Sequence, residues 1–234
     1  MELDGARVLV AGATGVLGGL LADALADEGA VLAVGGRDPD KLEDVAGRLE
    51  AVPVRFDCED LPTCADAVDA AAEGLGGLDG LVVLPGVPAF GPAAELDVDV
   101  ARRLMLVDAL GPIELVRAAL PHLAEGDEGA VLGISAVVAE YPTAGMAAYS
   151  AAKAAFSAYL SAVRREYRRQ GVAVVDARPP HLDTGFSDRA LVGEPPQLPP
   201  GMPAADLVPR LVEALRVGRT EVAWDVKASE LVVR

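Results

Sequence analysis

Long apolar runs and a secretion signal are both missing from the sequence. No uninterrupted apolar stretch reaches the roughly 18 residues that a membrane-spanning helix needs. The N-terminus, MELDGARVLVAG, begins acidic and enters a strand-like run at once, so it lacks the basic region and cleavage site of a signal peptide. These absences predict a cytoplasmic protein.

Positive charge, cysteine and histidine are also scarce. The chain has 20 Lys and Arg residues against 36 Asp and Glu residues, and its net charge is −16. Since nucleic acids and anionic membranes are bound by clustered cations, this balance argues against both partners. The two cysteines, Cys58 and Cys64, lie in one short segment without a nearby histidine pair. We therefore predict free thiols and no metal site.

What the sequence does contain is an alternation of strand-like and helix-like patterns. Apolar runs of strand length occupy residues 7–11, 31–34, 52–56, 80–84, 130–135, 172–177 and 220–224. Amphipathic segments separate them, including two predicted long helices at about residues 100–124 and 146–170. This alternation predicts an α/β fold, a doubly wound parallel sheet of about seven strands with helices on both faces. The length fits a single domain, residues 1–234.

One stretch does not fit the alternation. Residues 184–203, TGFSDRALVGEPPQLPPGMP, contain too much Pro and Gly for a long helix. A loop of this size inside a compact domain is usually functional, and we interpret it as a lid over a substrate.

A glycine-rich turn follows the first predicted strand. Gly12, Gly15 and Gly18 permit a tight turn and close approach of the backbone to a pyrophosphate, and the helix N-terminus supplies N–H donors for the anion. The same turn contains Thr14, Val16 and Leu17, which we include among the predicted nucleotide contacts.

The second and third strands end in residues that bear on the choice of nucleotide. NAD-binding proteins usually have an acid where this chain has Gly35 and Gly36, and Arg37 follows. Because an arginine can bind a 2′-phosphate, NADP(H) is favoured over NAD(H). Alternatively, Arg37 is solvated or pairs with Asp38 or Asp40. After the third strand, Asp57 either accepts from the adenine amino group or caps the next helix.

These features, together with the segments YSAAK and RPPHLDTGF, resemble the short-chain dehydrogenase/reductase family over essentially the whole chain. The resemblance implies a Rossmann-fold oxidoreductase in which Tyr149 and Lys153 act with an upstream serine and an asparagine. Residues four apart share one helix face, so the ammonium can lower the phenol pKa and the phenol can exchange a proton with a carbonyl or alcohol. The alternative is that both are surface residues.

Several positions depart from the family pattern. The glycine spacing is G-x-x-G-x-x-G rather than G-x-x-x-G-x-G, and LPG, ending at Gly86, replaces the usual N-A-G. Asp108 stands where the resemblance implies the asparagine that holds a water in a proton relay. Its negative charge near Lys153 would raise the tyrosine pKa.

The serine is displaced by one residue. The family spacing, thirteen residues before Tyr149, falls on Ala136, and Ser135 precedes it. Neighbouring residues of a regular strand point to opposite faces, so Ser135 either faces away from the site or is delivered to it by a bend.

The segment RPPHLDTGF resembles the family's P-G-x-x-x-T motif near the nicotinamide. The resemblance implies cofactor contacts from Pro179, Leu182 and Thr184, and also from Gly86. His181 is either a substitute acid or an ordinary loop residue.

Three functions follow as hypotheses. The first is an NADP(H)-dependent oxidoreductase acting on a ketone or secondary alcohol, with a small-to-medium substrate in a mainly apolar pocket formed by Val87, Phe90, Tyr141, Met146, Phe186, Leu191 and Met202. The second is a non-catalytic NADP(H)-binding sensor or partner protein that keeps the fold. The third, epimerase or dehydratase chemistry, is suggested only by the glycine spacing. The resemblance also implies a homodimer or homotetramer formed through the two long helices.

Overall fold

An eight-stranded sheet lies at the centre of the computed structural model, which describes residues 1–126 and 128–234. Its strands, in spatial order, are β10 (Glu230–Val233), β9 (Glu221–Asp225), β6 (Ala173–Arg178), β5 (Ala130–Ile134), β4 (Gly80–Val83), β1 (Arg7–Ala11), β2 (Val31–Gly36) and β3 (Val52–Arg55). All are parallel except β10, which pairs antiparallel with β9 at one edge. The seven predicted strands are present, and β10 is additional to them.

Helices cover both faces of the sheet, as predicted. On one face α1 (Val16–Asp27), α2 (Pro39–Leu49) and α7 (Ala204–Val217) pack against the strands, and on the other α3 (Leu61–Leu75), α5 (Gly111–Leu123) and α6 (Ala147–Tyr167) do so. The strands supply fully buried residues to both layers, such as Leu9 to one and Val10 to the other. Burial on both faces explains why the strands are continuous apolar runs.

The predicted long helix over residues 100–124 is present, and it contains one π-helical turn that was not predicted. The segment is divided into α4 (Val98–Met105), a π-helical turn at Leu106–Leu110, and α5. Pro112 at the start of α5 has no N–H, and a proline ring clashes with the carbonyl four residues earlier, here that of Asp108. A wider turn relieves this clash, and such turns often occur at functional sites.

The strand order reverses between the neighbouring strands β1 and β4. From β1 the chain proceeds outward to β2 and β3, and from β4 it proceeds in the other direction to β5 and β6. In open parallel sheets ligands bind outside the carboxyl ends of the strands at such a reversal. The loops after β1, β4 and β5 lie at this end of the sheet, so the topology predicts a ligand site there.

The Pro- and Gly-rich stretch lies against the loop that follows β4. Backbone N–H groups of Phe90 and Leu191 donate to the carbonyls of Val192 (3.0 Å) and Pro88 (2.9 Å). The ends of the stretch are held together by a small parallel pair, β7 (Leu182–Asp183) with β8 (Met202–Pro203). The stretch is therefore an ordered flap with neighbouring ends.

None of the helices in the described ranges is both long enough and apolar enough to cross a membrane. Cys58 and Cys64 are buried free thiols in the layer that contains α3 and α5.

Candidate active site

The turn between β1 and α1 has the shape and the free donors of an anion site. Gly12 has a φ of 96°, and a Cβ on Gly18 would overlap the Gly12 carbonyl, so the backbone folds more closely than any side chain allows. Gly15 is the N-cap of α1, and no described side chain caps this helix. The first N–H groups of α1 are thus available to a phosphate.

Arg37 lies just beyond the carboxyl end of β2, with 60% of its side chain exposed. Its ion pair is with Glu59, at 3.8 Å, rather than with Asp38 or Asp40. Asp38 instead accepts from the N–H of Lys41 as the N-cap of α2. Glu59 in turn accepts a 2.7 Å hydrogen bond from Arg103 on α4, a contact that the sequence analysis did not predict.

Asp57 follows β3 and is half-buried. Its Oδ1 accepts from the backbone N–H of Glu59 at 3.0 Å, so this carboxylate orders the turn before α3. The N-cap of α3 is Asp60, which means that Asp57 does not cap the helix directly. Within the described chain, Oδ2 of Asp57 accepts no hydrogen bond and could receive one from a ligand.

Tyr149, Lys153 and Asp108 form a buried cluster where α6 meets the π-helical turn. The Lys153 Nζ lies 3.2 Å from Asp108 Oδ1, donates to the Ile134 carbonyl at 3.3 Å, and is 5.9 Å from the centre of the Tyr149 ring. The Val87 N–H also donates to Asp108, at 3.2 Å. The pair at positions i and i+4 is therefore inside the molecule and not on its surface.

Burial dominates the proton affinities of this cluster. It raises the pKa of Asp108 to about 6, although the Lys153 ammonium acts in the opposite direction. Burial also raises the pKa of Tyr149 well above its usual value, and the Asp108 charge adds to this effect. Tyr149 is consequently protonated at neutral pH and is suited to donate a proton.

Gly86 lies directly over the ion pair. A Cβ at this position would be 2.9 Å from Asp108 Oδ1 and 3.1 Å from Lys153 Nζ, so only glycine lets the backbone pass here without moving the pair. The same added Cβ would be 3.7 Å from Cζ of Phe186, which belongs to the flap. The centre of the Phe186 ring is 6.2 Å from the centre of the Tyr149 ring.

Ser135 is not brought to this cluster. Its N–H still pairs with the Ala177 carbonyl, so the strand geometry continues through Ser135 and the side chain keeps the face opposite to that of Ala136. Its hydroxyl donates to Asp176 at 2.5 Å. Asp176 also accepts from Ser157 and Arg178, each at 2.6 Å. The strand bends only at the next residue, Ala136, whose φ is 146°. The bend therefore does not turn the Ser135 hydroxyl toward Tyr149.

The loop after β6 lies next to the cluster. The Pro179 carbonyl accepts from the Val137 N–H at 2.9 Å, and the Thr184 N–H donates to the Leu182 carbonyl at 3.0 Å. His181 is half-buried, and its carbonyl accepts from the Met202 N–H. Its imidazole has no hydrogen bond in the described ranges, so no observation supports a role as an acid.

Five of the seven predicted pocket residues gather around Tyr149 in one apolar cluster, namely Val87, Phe90, Met146, Phe186 and Leu191. The other two lie elsewhere: Met202 packs in the layer with α1 and α7, and Tyr141 is exposed. The surroundings of the phenol are thus mainly apolar.

Comparison with known proteins identifies similar chains. A model of the family described as short chain dehydrogenase matches residues 6–192. Dehydrogenase/reductase SDR family protein 7-like of Anopheles gambiae is 31% identical over 202 residues, which are 82% of this chain and 64% of that protein. The chain therefore spans less than two thirds of the mosquito protein.

A second curated relative is the 2,5-dichloro-2,5-cyclohexadiene-1,4-diol dehydrogenase of Sphingobium indicum, which is 28% identical over 78% of this chain and 75% of its own length. Among solved structures, a short chain dehydrogenase from Burkholderia cenocepacia in complex with NADP superposes with a TM-score of 0.84 and 29% identity, over 97% of this chain and 91% of that one.

Proposed function

Because the chain belongs to the short-chain dehydrogenase/reductase family, we propose that it catalyses NADP(H)-dependent hydride transfer between nicotinamide and a ketone or secondary alcohol. The observation that carries this proposal is the burial of Tyr149 beside the Lys153–Asp108 pair, with the Lys153 Nζ 5.9 Å from the centre of its ring. The glycine turn after β1 is able to hold a dinucleotide.

The cofactor is proposed to lie along the carboxyl ends of the strands. The turn that contains Gly12, Thr14, Gly15, Val16, Leu17 and Gly18 would hold the pyrophosphate. Asp57 would accept from the adenine amino group and Arg37 would bind the 2′-phosphate, a preference also supported by the NADP in the Burkholderia structure. Gly86, Pro179, Leu182 and Thr184 would border the nicotinamide, which when bound supplies or accepts the hydride.

Tyr149 acts as the acid in the reducing direction. Its raised pKa keeps the phenol protonated at neutral pH, so it can give its proton to the substrate oxygen as charge develops there. Lys153 would bind the nicotinamide ribose, and its ammonium is fixed by Asp108 and the Ile134 carbonyl. In the oxidising direction Tyr149 takes the proton from the alcohol.

Ser135 is left out of the proposed catalytic group because its hydroxyl is bonded to Asp176. Ala136, at the position of the family serine, has no hydroxyl to bind the substrate oxygen. Since loss of one oxyanion donor typically costs about 10²–10³ in rate, we propose a slow enzyme whose turnover relies on Tyr149.

The substrate is proposed to be small to medium in size and mainly apolar, because the residues around Tyr149 are Val87, Phe90, Met146 and Phe186. The flap over residues 184–203 is proposed to act as the lid of a single-domain enzyme. A cytoplasmic homodimer or homotetramer completes the proposal, in line with the family.

The test is oxidation of NADPH in the presence of a panel of ketones and aldehydes, with the parent beside Tyr149→Phe. The parent should turn over at least one carbonyl, and the variant should bind NADPH with unchanged affinity but show no turnover above background. A variant as active as the parent would refute the role of Tyr149.

A second candidate is a non-catalytic NADP(H)-binding sensor or partner protein. The engagement of Ser135 with Asp176 and the replacement of the family asparagine by Asp108 favour it. Tight NADPH binding without consumption by any carbonyl of the panel would support this candidate over the enzyme.

A further inference from the structure

We propose that Arg103 and Glu59 together set the selectivity for a 2′-phosphorylated nucleotide, with Arg103 acting as a positioning residue that keeps Glu59 away from Arg37. This inference rests on the proposed function, in which Arg37 receives the 2′-phosphate. It assigns the selectivity to two residues that lie outside the glycine turn and the β2 end.

The arrangement joins three segments of the chain. Arg37 follows β2, Glu59 lies between β3 and α3, and Arg103 is on α4. Both arginines point at the same carboxylate oxygen, Oε1 of Glu59, but at different distances. Arg103 Nε is 2.7 Å away, a hydrogen-bond length, whereas Arg37 is 3.8 Å away, which is too far for a hydrogen bond.

The two distances describe a competition. A carboxylate and a phosphate bind the same fork of a guanidinium group, so a Glu59 that closed onto Arg37 would occupy the donors that a 2′-phosphate needs. Arg103 holds the carboxylate by its shorter contact. Arg37, with 60% of its side chain exposed, stays free to turn toward a ligand.

Charge leads to the same conclusion. The two guanidinium groups and one carboxylate carry one net positive charge. Removal of the Arg103 charge makes this group neutral and leaves Arg37 as the only described cation paired with Glu59. Removal of the Glu59 charge has the opposite effect, because no carboxylate then competes with the 2′-phosphate for Arg37.

The experiment is calorimetric titration with two probes, adenosine 2′,5′-bisphosphate and adenosine 5′-monophosphate, so that it does not depend on turnover. Arg103→Gln should weaken the bisphosphate roughly two- to fivefold, the range for exposed ion pairs, and leave the monophosphate unchanged. Glu59→Gln should tighten the bisphosphate by a similar factor. The double variant should bind the bisphosphate as tightly as Glu59→Gln alone, because Arg103 acts only through Glu59. Arg103→Lys should retain most of the selectivity.

Matched controls separate this mechanism from a general loss of charge. Arg102→Gln removes the same charge from the neighbouring residue of α4, whose side chain is 74% exposed and pairs with Asp99. Glu43→Gln removes an acid from an exposed position on α2. Neither control should change the ratio of the two affinities, and all the differences should shrink in about 0.5 M salt.

Two results would overturn the inference: equal weakening of both probes by Arg103→Gln, or a loss of bisphosphate affinity on Arg103→Gln that persists in the Glu59→Gln background. Arg37→Gln distinguishes this failure from that of the proposed function. If Arg37→Gln weakens only the bisphosphate while Arg103→Gln has no effect, the NADP(H) preference stands and the positioning role falls. If the parent does not distinguish the probes, the NADP(H) preference itself is wrong.

Discussion

Replacement of Asp108 by asparagine should lower the pKa of Tyr149. The Asp108 charge is the second cause, after burial, of the raised phenol pKa. The Lys153 Nζ is 3.2 Å from Asp108 Oδ1 and 5.9 Å from the centre of the Tyr149 ring, so the carboxylate is at most ~9 Å from that centre. Two unit charges at this separation interact by roughly 1.8 kcal/mol at an effective dielectric of about 20. That energy corresponds to a decrease of ~1.3 pKa units.

The assay is the pH dependence of kcat/KM for alcohol oxidation, which reports groups of the free enzyme and substrate. Oxidation needs the deprotonated phenol, so activity is present above the Tyr149 pKa and is lost as the pH falls through it. In Asp108→Asn this acid limb should move about one unit lower, and the loss of reducing activity at high pH should move in the same direction.

Asp99→Asn is the matched control because it removes the same charge from a side chain that is 82% exposed. Its pH profile should coincide with that of the parent. Thermal unfolding of both variants checks that they fold, since Asp108→Asn also leaves the buried Lys153 without its counter-charge. An acid limb that stays within about 0.3 units of the parent would refute the electrostatic reasoning.

Three further substitutions test other parts of the site. Ser135→Ala should lower the free energy of unfolding in urea by about 1–3 kcal/mol, because the buried Asp176 carboxylate loses a donor. The kcat should change less than about threefold. A hundredfold loss of kcat at unchanged stability would instead show that Ser135 is catalytic. Ala136→Ser should raise kcat for carbonyl reduction by about tenfold or more, since it supplies a hydroxyl at the family position, and an unchanged kcat would contradict this. Gly18→Ala should weaken NADPH binding by roughly tenfold in fluorescence titration, because the added Cβ overlaps the Gly12 carbonyl and displaces the turn. Gly19→Ala is the control and should not weaken binding, since its added Cβ makes only an ordinary 3.6 Å contact. Equal effects of the two substitutions would argue against a close-packed turn.

The sequence predicted the parts of the fold that depend on local patterns. Strands buried on both faces appear as continuous apolar runs, and this signal located seven strands of the sheet. The strand β10 escaped because ELVV is short, lies at an edge and is only partly buried. The helix over residues 100–124 was predicted without its π-helical turn because apolar periodicity does not register the clash of a proline ring with an earlier carbonyl.

The site shows the same division. Spacing along a helix is local, so Tyr149 and Lys153 could be paired from the sequence alone. The orientation of Ser135 was left open because it depends on where β5 stops being regular, and that point is set by pairing with β6. Glu59 and Arg103, 44 residues apart, gave no signal in the sequence that they meet.

The sequence by itself determined the α/β class, the glycine turn and the Tyr149–Lys153 pair, because each follows from residue types at fixed short spacings. Only the tertiary structure decided that the Ser135 hydroxyl is bonded to Asp176, that Asp108 is buried against Lys153, and that burial raises the Tyr149 pKa. Side-chain direction, solvent exclusion and ion pairing depend on which distant segments pack together. Local spacing does not specify those contacts.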